Sequence, residues 1–225
     1  MRWLLAFLAI WGVTLSRADS RAVEESVVLE GWFSAQTNVH TWSADFIQTR
    51  SLKALSQPLM ATGRVWVTIP DRVRWELGQP AQTIALRRPG NLFLIYPLLK
   101  RAEKYRLNDR QSGPLGDALA LMEASFPRSR AELQSRLRVR SVNETNETFL
   151  ITLQPQSPGA RRMMKAIQIG LRKDDFSLVS TELILSDDSS VRSDFTNAVL
   201  NEHVDPALFN WEPPADFKVT EPLAE

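Results

Sequence analysis

The stretch 63–105 leaves this chain few ways to fold. In Arg72-Val73-Arg74-Trp75-Glu76-Leu77 the alternation is strict: Val73, Trp75 and Leu77 share one face of an extended strand, and Arg72, Arg74 and Glu76 share the other. A register slip of one residue would turn Trp75 to water and the arginines inward, so the facing is well specified. Proline and glycine fall between the apolar runs and not inside them. Pro70-Asp71, Gly78-Gln79-Pro80 and Arg88-Pro89-Gly90-Asn91 separate strands expected over 63–69, 72–77, 82–87, 92–96 and from Arg101 onward. This is an antiparallel meander with one apolar side, and the rest of the chain must supply what that side faces.

The flanking segments fit that need. Residues 19–36 read as an amphipathic helix with Asp19 and Ser20 as cap candidates and an apolar stripe of Val23, Val27, Val28, Trp32 and Phe33. Residues 41–50 alternate as a strand, with Trp42, Ala44, Phe46 and Gln48 on one face. Residues 115–126 carry Leu115, Ala118, Leu119, Met122 and Phe126 at helical spacing between Pro114 and Pro127. Ser129 with Glu132 forms a capping-box pattern for a short helix over 129–136. Strands follow over 137–142, 148–153, 165–172, 178–185 and 191–198, and Asp205-Pro206 caps a helical turn through Phe209.

Strands that do not alternate with helices argue for one antiparallel sheet, and ten or more strands must curl, split or close. The expected fold is therefore α+β: a large curved antiparallel sheet forming an open, incomplete β-barrel, with helices plugging its concave side. Nothing in the composition, 44% hydrophobic and 24% charged, asks for a second domain.

Residues 1–18 differ from the rest. Met1-Arg2, an apolar run from Trp3 to Leu15 and Ser16-Arg17-Ala18 make a secretory signal peptide with cleavage expected after Ala18, leaving 19–225 as one domain. Cleavage removes Arg2 and Arg17, so the formal charge moves from +1 to −1, without the basic footprint of a nucleic-acid binder. There is no cysteine, so neither disulfides, nor a lipid-bearing cysteine, nor thiol chemistry is available.

Catalytic patterns are missing from the sequence. His40 and His203 belong to no cluster with metal-ligand spacing, and neither a nucleophile elbow nor a phosphate loop appears. Asp174-Asp175 and Asp187-Asp188 read as solvated turns, and the sequons at Asn143 and Asn146 matter only in a eukaryotic secretory pathway. The expectation is a non-enzyme without catalytic residues, metal or cofactor. Seven tryptophans are many for a core of this size. They either fill that core or line a cavity in a sheet too large to be filled by its own side chains.

A series of segments carries a resemblance. Trp42-Ser43-Ala44-Asp45-Phe46-Ile47-Gln48, Gly63-Arg64-Val65-Trp66-Val67 and Pro70-Asp71-Arg72-Val73-Arg74-Trp75-Glu76 open it. Gln79-Pro80, Tyr96-Pro97, Leu153-Gln154-Pro155 and Phe209-Asn210-Trp211-Glu212-Pro213-Pro214 continue it. Together they resemble the periplasmic outer-membrane lipoprotein carriers, the LolA family, over nearly all of 19–225.

The resemblance implies a monomeric periplasmic carrier that binds acyl chains of a lipoprotein, or of a related lipid, in a hydrophobic cavity. It would receive cargo from an inner-membrane ABC-type release complex or another exporter and pass it to an outer-membrane acceptor. The cavity is expected from Trp42, Phe46, Val65, Val67, Val73, Trp75, Leu77, Ile84 and Leu86, under a lid helix bearing Leu115, Leu119, Met122 and Phe126. The family holds its lid closed with an arginine just before the proline that corresponds to Pro70. Here Ile69 stands at that position and cannot donate a hydrogen bond. The alternative from another class is a lipid-sensing regulatory module of the same fold that binds a membrane-anchored partner such as an anti-sigma factor.

Overall fold

The computed structural model of the protein describes residues 17–107, 124–127 and 129–222. The leader read over 1–18 lies almost wholly outside them, as does most of the expected helix 115–126. Helix α1 (Arg17–Gln36) buries Val28, Leu29, Trp32 and Phe33. Val27, expected on the inner stripe, is 64% exposed and Leu29 is buried instead. The buried pairs 28–29 and 32–33 repeat every four residues, which centres the inner face on the side of the helix opposite Val27.

Twelve strands follow: β1 (Thr41–Ser51), β2 (Leu59–Thr68), β3 (Arg72–Leu77), β4 (Thr83–Arg88), β5 (Asn91–Tyr96), β6 (Arg101–Arg106), β7 (Leu137–Glu144), β8 (Thr148–Pro155), β9 (Met164–Arg172), β10 (Leu178–Leu185), β11 (Ser190–Leu200) and β12 (Lys218–Thr220). They form a single sheet in the order β12-β6-β5-β4-β3-β2-β1-β11-β10-β9-β8-β7. The sheet does not close on itself: its end strands β12 and β7 do not pair with each other. Pairing of β1 with β11 joins the two meanders, Phe46 standing opposite Phe195. The expected open barrel with helices on its concave side is what the chain builds.

Two short helices lie wholly among the described residues besides α1. Helix α2 (Arg130–Arg136) is capped by Ser129, whose hydroxyl accepts from the Glu132 N–H at 3.1 Å. Helix α3 (Pro158–Met163), unforeseen from the sequence, starts the same way: Ser157 accepts from the Ala160 N–H, with Pro158 at the first helical position.

The sheet is not wholly antiparallel. After β11 the chain turns at Asn201, whose side chain accepts from the His40 N–H and donates to the Asn38 carbonyl. It then crosses the convex face and adds β12 parallel to β6. A crossover of this length is what a parallel pairing requires. On the way, Asp205 caps a 3₁₀ turn (Pro206–Phe209) by accepting from the Ala207 N–H. The crossing segment packs Leu208, Phe209, Trp211 and Phe217 against Ile84, Leu86, Phe93, Ile95 and Ala102. The larger core lies on the concave side and joins α1 to strands β1–β3 and β7–β11.

Candidate functional site

Strand register builds the concave face row by row. One row across β1–β6 runs Trp42, Val67, Val73, Arg87, Leu92, Tyr105. The next runs Ala44, Val65, Trp75, Ala85, Leu94, Glu103, and a third begins Phe46, Gly63, Leu77, Thr83. The structure therefore brings together Trp42, Phe46, Val65, Val67, Val73, Trp75 and Leu77 on one surface.

Ile84 and Leu86 are corrections. Residues 78–82 between β3 and β4 set a register in which Ala85 faces Trp75, while Ile84 stands beside Glu76 and Leu86 beside Arg74. Both side chains point to the convex face and are buried there by the C-terminal crossing segment. Their alternation marks a buried face correctly, but the partner covering that face is the tail and not a cavity. Arg64 and Arg74 lie on this same convex side. Arg64 faces Asp45 at 3.7 Å, and Arg74 donates to Glu76 and to the Leu208 carbonyl.

At the middle of the concave face is an aromatic cluster. Phe46 lies 4.3 Å from Trp75 between ring centroids, and Trp42 lies 5.0 Å from Phe195 and 5.2 Å from Phe126. Phe195 also meets Trp75 edge-on at 6.0 Å. Sequence reasoning missed Phe195, although the alternation Val191, Ser193, Phe195 carried the signal. Gly63 makes room for this arrangement: a Cβ there would run into the Phe46 ring and the Glu76 carbonyl. Of the residues expected on the lid helix, Phe126 is placed against Trp42, while Leu115, Leu119 and Met122 lie outside the described residues.

The face changes character along its length. Toward β8–β10 it is aliphatic, with Ile151, Leu153, Ile167, Ile169 and Leu171 fully buried. Toward β4–β6 it becomes half-buried and polar. Arg101 donates to Glu103 at 2.8 Å, and the Tyr105 hydroxyl donates to the other Glu103 oxygen at 2.7 Å. Burial, then the bond and charge of Glu103, push the Tyr105 phenol up to about 12. Inside the apolar core, Trp32 Nε1 and Thr181 Oγ1 are buried without a hydrogen-bond partner among the described residues.

Ile69 is half-buried and packs against the larger core, its N–H donating to the His40 carbonyl at 2.9 Å. His40 and His203 are exposed, and among the described residues no three His, Asp or Glu side chains gather as a metal site.

The family model that matches the sequence is that of the outer membrane lipoprotein carrier protein LolA, over residues 37–212. No curated protein matches by sequence. Among solved structures, the chain is similar to an uncharacterized conserved protein from Thermus thermophilus (12% identity, 88% of this chain and 99% of that one, TM-score 0.49). It is also similar to a LolA superfamily protein from Nitrosomonas europaea (8% identity, 83% and 97%, TM-score 0.43). A third similarity is to the Pseudomonas aeruginosa MucA/MucB complex (14% identity, 88% of this chain and 63% of that one, TM-score 0.45).

Proposed function

We propose, for a chain that belongs to the outer membrane lipoprotein carrier (LolA) family, that its concave face holds the acyl chains of a lipoprotein or related lipid and carries them across the periplasm. Donor and acceptor in this reading are an inner-membrane release complex or exporter and an outer-membrane receptor. One observation carries it: a twelve-stranded sheet stays open while its concave face presents a continuous apolar wall around Trp42, Phe46, Trp75 and Phe195. A sheet that only needed to fold would close over such a wall or fill it.

The chemistry favours an amphiphile. Trp75 and Leu77 are half-buried and offer apolar area to a chain. Burial of methylenes is worth about 0.8 kcal/mol each, so full enclosure of several acyl chains would reach tens of kcal/mol gross. That approaches the practical ceiling of non-covalent affinity, about 18–21 kcal/mol. A carrier has to release its load. An open sheet, leaving part of each chain uncovered, keeps the binding within a reversible range.

Non-denaturing mass spectrometry of protein recovered from the periplasm without detergent tests this. The expected result is a co-purifying acylated protein or lipid that is absent from the Trp75→Glu variant. An empty protein that instead retains a membrane-anchored regulator would move the assignment to a sensor.

A further inference from the structure

Exposed apolar side chains are not spread evenly over this molecule. Of the eleven large ones among the described residues, six sit at one end of the sheet: Leu55, Leu59, Met60, Leu98, Leu99 and Met163. The topology explains why they share an edge. The β1–β2, β3–β4 and β5–β6 connections all open on the same side of an antiparallel meander. Because Ser51 pairs with Ser190, the β10–β11 and β8–β9 connections open there too. The β1–β2 connection is bonded to the β10–β11 turn, Lys53 N–H donating to Ser189 Oγ at 3.1 Å. That turn is bonded in its own right to α3, Ser186 N–H donating to the Met163 carbonyl at 3.0 Å.

Leu98 and Leu99 are 71% and 69% exposed on a tight 3₁₀ turn that Pro97 and Lys100 hold in place. Neither contributes to a core, and a fixed turn with two leucines at its tip has no folding reason to carry them.

Charge divides the molecule along the same axis. The apolar edge carries Lys53, Lys100, Arg161, Arg162 and Lys165, all exposed. Three exposed carboxylates share this edge: Lys165 pairs with Asp188, Lys100 with Asp216, and Lys53 faces Asp187 and Asp188. The Arg161 guanidinium donates to the Pro155 and Gln156 carbonyls and Arg162 has no ion-pair partner among the described residues, so cations outnumber carboxylates five to three. The turns at the opposite edge mix Asp71, Glu144, Glu147, Asp174 and Asp175 with Arg72, Arg88, Arg172 and Lys173, and carry no excess of cations. There the cations Lys173 and Arg172 are already engaged by Glu144, Asp174 and Asp175.

We infer that the edge bearing Leu98–Leu99 and Met60–Met163 docks on an anionic lipid bilayer. Apolar tips enter the boundary between head groups and acyl chains, and the cations beside them meet lipid phosphates. That is the arrangement of apolar and basic groups an anionic membrane surface selects. The inference concerns the edge alone and stands whether or not the concave face carries acyl chains.

Flotation of the purified protein with phosphatidylcholine vesicles, with and without phosphatidylglycerol, tests it. The expected result is capture by phosphatidylglycerol vesicles and release at about 1 M salt, where charges are screened within a few ångströms. Leu98→Ser with Leu99→Ser, and separately Arg161→Gln with Arg162→Gln, lower the bound fraction roughly tenfold. All four side chains are exposed, and circular dichroism verifies that both double variants fold. Asp71→Asn, at the opposite edge, leaves vesicle capture unchanged, and the vesicle readout does not depend on cargo in the concave face. No capture by either vesicle, equal capture by both that survives the edge substitutions, or loss of capture in Asp71→Asn alone overturns the proposal. So does a shift from dimer to monomer in the leucine double variant without any vesicle binding, which would make the edge a self-association surface.

Discussion

Strands β8–β10 and strands β3–β6 line the same concave side and end in different states: the first is largely aliphatic, the second mixes Trp75, Leu77 and Leu94 with Arg87, Glu103 and Tyr105. Under α1, Ile151, Leu153, Ile167, Ile169 and Leu171 are sealed from solvent. In the other half, Trp75, Leu77, Ala85 and Leu94 are only half-buried. That half takes its stability from its outer surface, where Ile84, Leu86, Phe93 and Ile95 are covered by the C-terminal crossing segment. The two halves differ in what covers them: one is sealed on its concave side by α1, and the other is covered from behind while its inner face stays partly exposed, as the proposed binding of acyl chains requires.

Substitutions in the two halves sharpen or break that contrast. Phe209→Ala, which uncovers the back of the N-terminal half, is expected to lower stability by about 3–5 kcal/mol in denaturant unfolding. A loss under about 1 kcal/mol would mean that the crossing segment is ornamental. Ile169→Ala in the sealed half is expected to cost about 2–5 kcal/mol. Its counterpart Leu94→Ala, half-buried on the open half, should cost markedly less, about 1 kcal/mol. Equal losses for the two would erase the difference between the halves.

Gly63→Ala is a smaller probe of where they meet. The added methyl runs into the Phe46 ring and the Glu76 carbonyl, so about 1–3 kcal/mol of destabilisation is expected, with Trp75 fluorescence changed. The smallest effect concerns Tyr105. In a Tyr96→Phe protein the tyrosinate absorbance reports Tyr105 alone and should titrate with a midpoint of about 12. Because this pKa is raised on folding, its contribution to stability is whole below about pH 10 and is lost as pH rises through the folded value. Ordinary titration near 10 would remove the Glu103 bond from the account.

Much of this was legible in the sequence because strands report their faces by alternation. Val73, Trp75 and Leu77 were assignable from six residues, and Ser129 with Glu132 announced α2. Ile84 and Leu86 show where that reasoning stops. Alternation says that a side chain is buried, not what buries it, and the answer here lies more than a hundred residues away in Phe209 and Trp211. The parallel β12 was illegible for a related reason: a three-residue strand carries almost no pattern and exists because the crossing segment delivers it to β6. Phe195 was readable but overlooked, since its importance comes from standing opposite Phe46 in a register set by the whole β1–β11 pairing.

The most direct test of the central claim compares the two faces of the same strands inside living cells. A photo-activatable benzoyl-phenylalanine is placed at position 75, on the open concave face, or at position 86, on the convex face beneath the tail. An adduct with an acylated protein or lipid is expected at position 75 and none at position 86. An adduct at position 86, or only an unacylated protein at position 75, would contradict it.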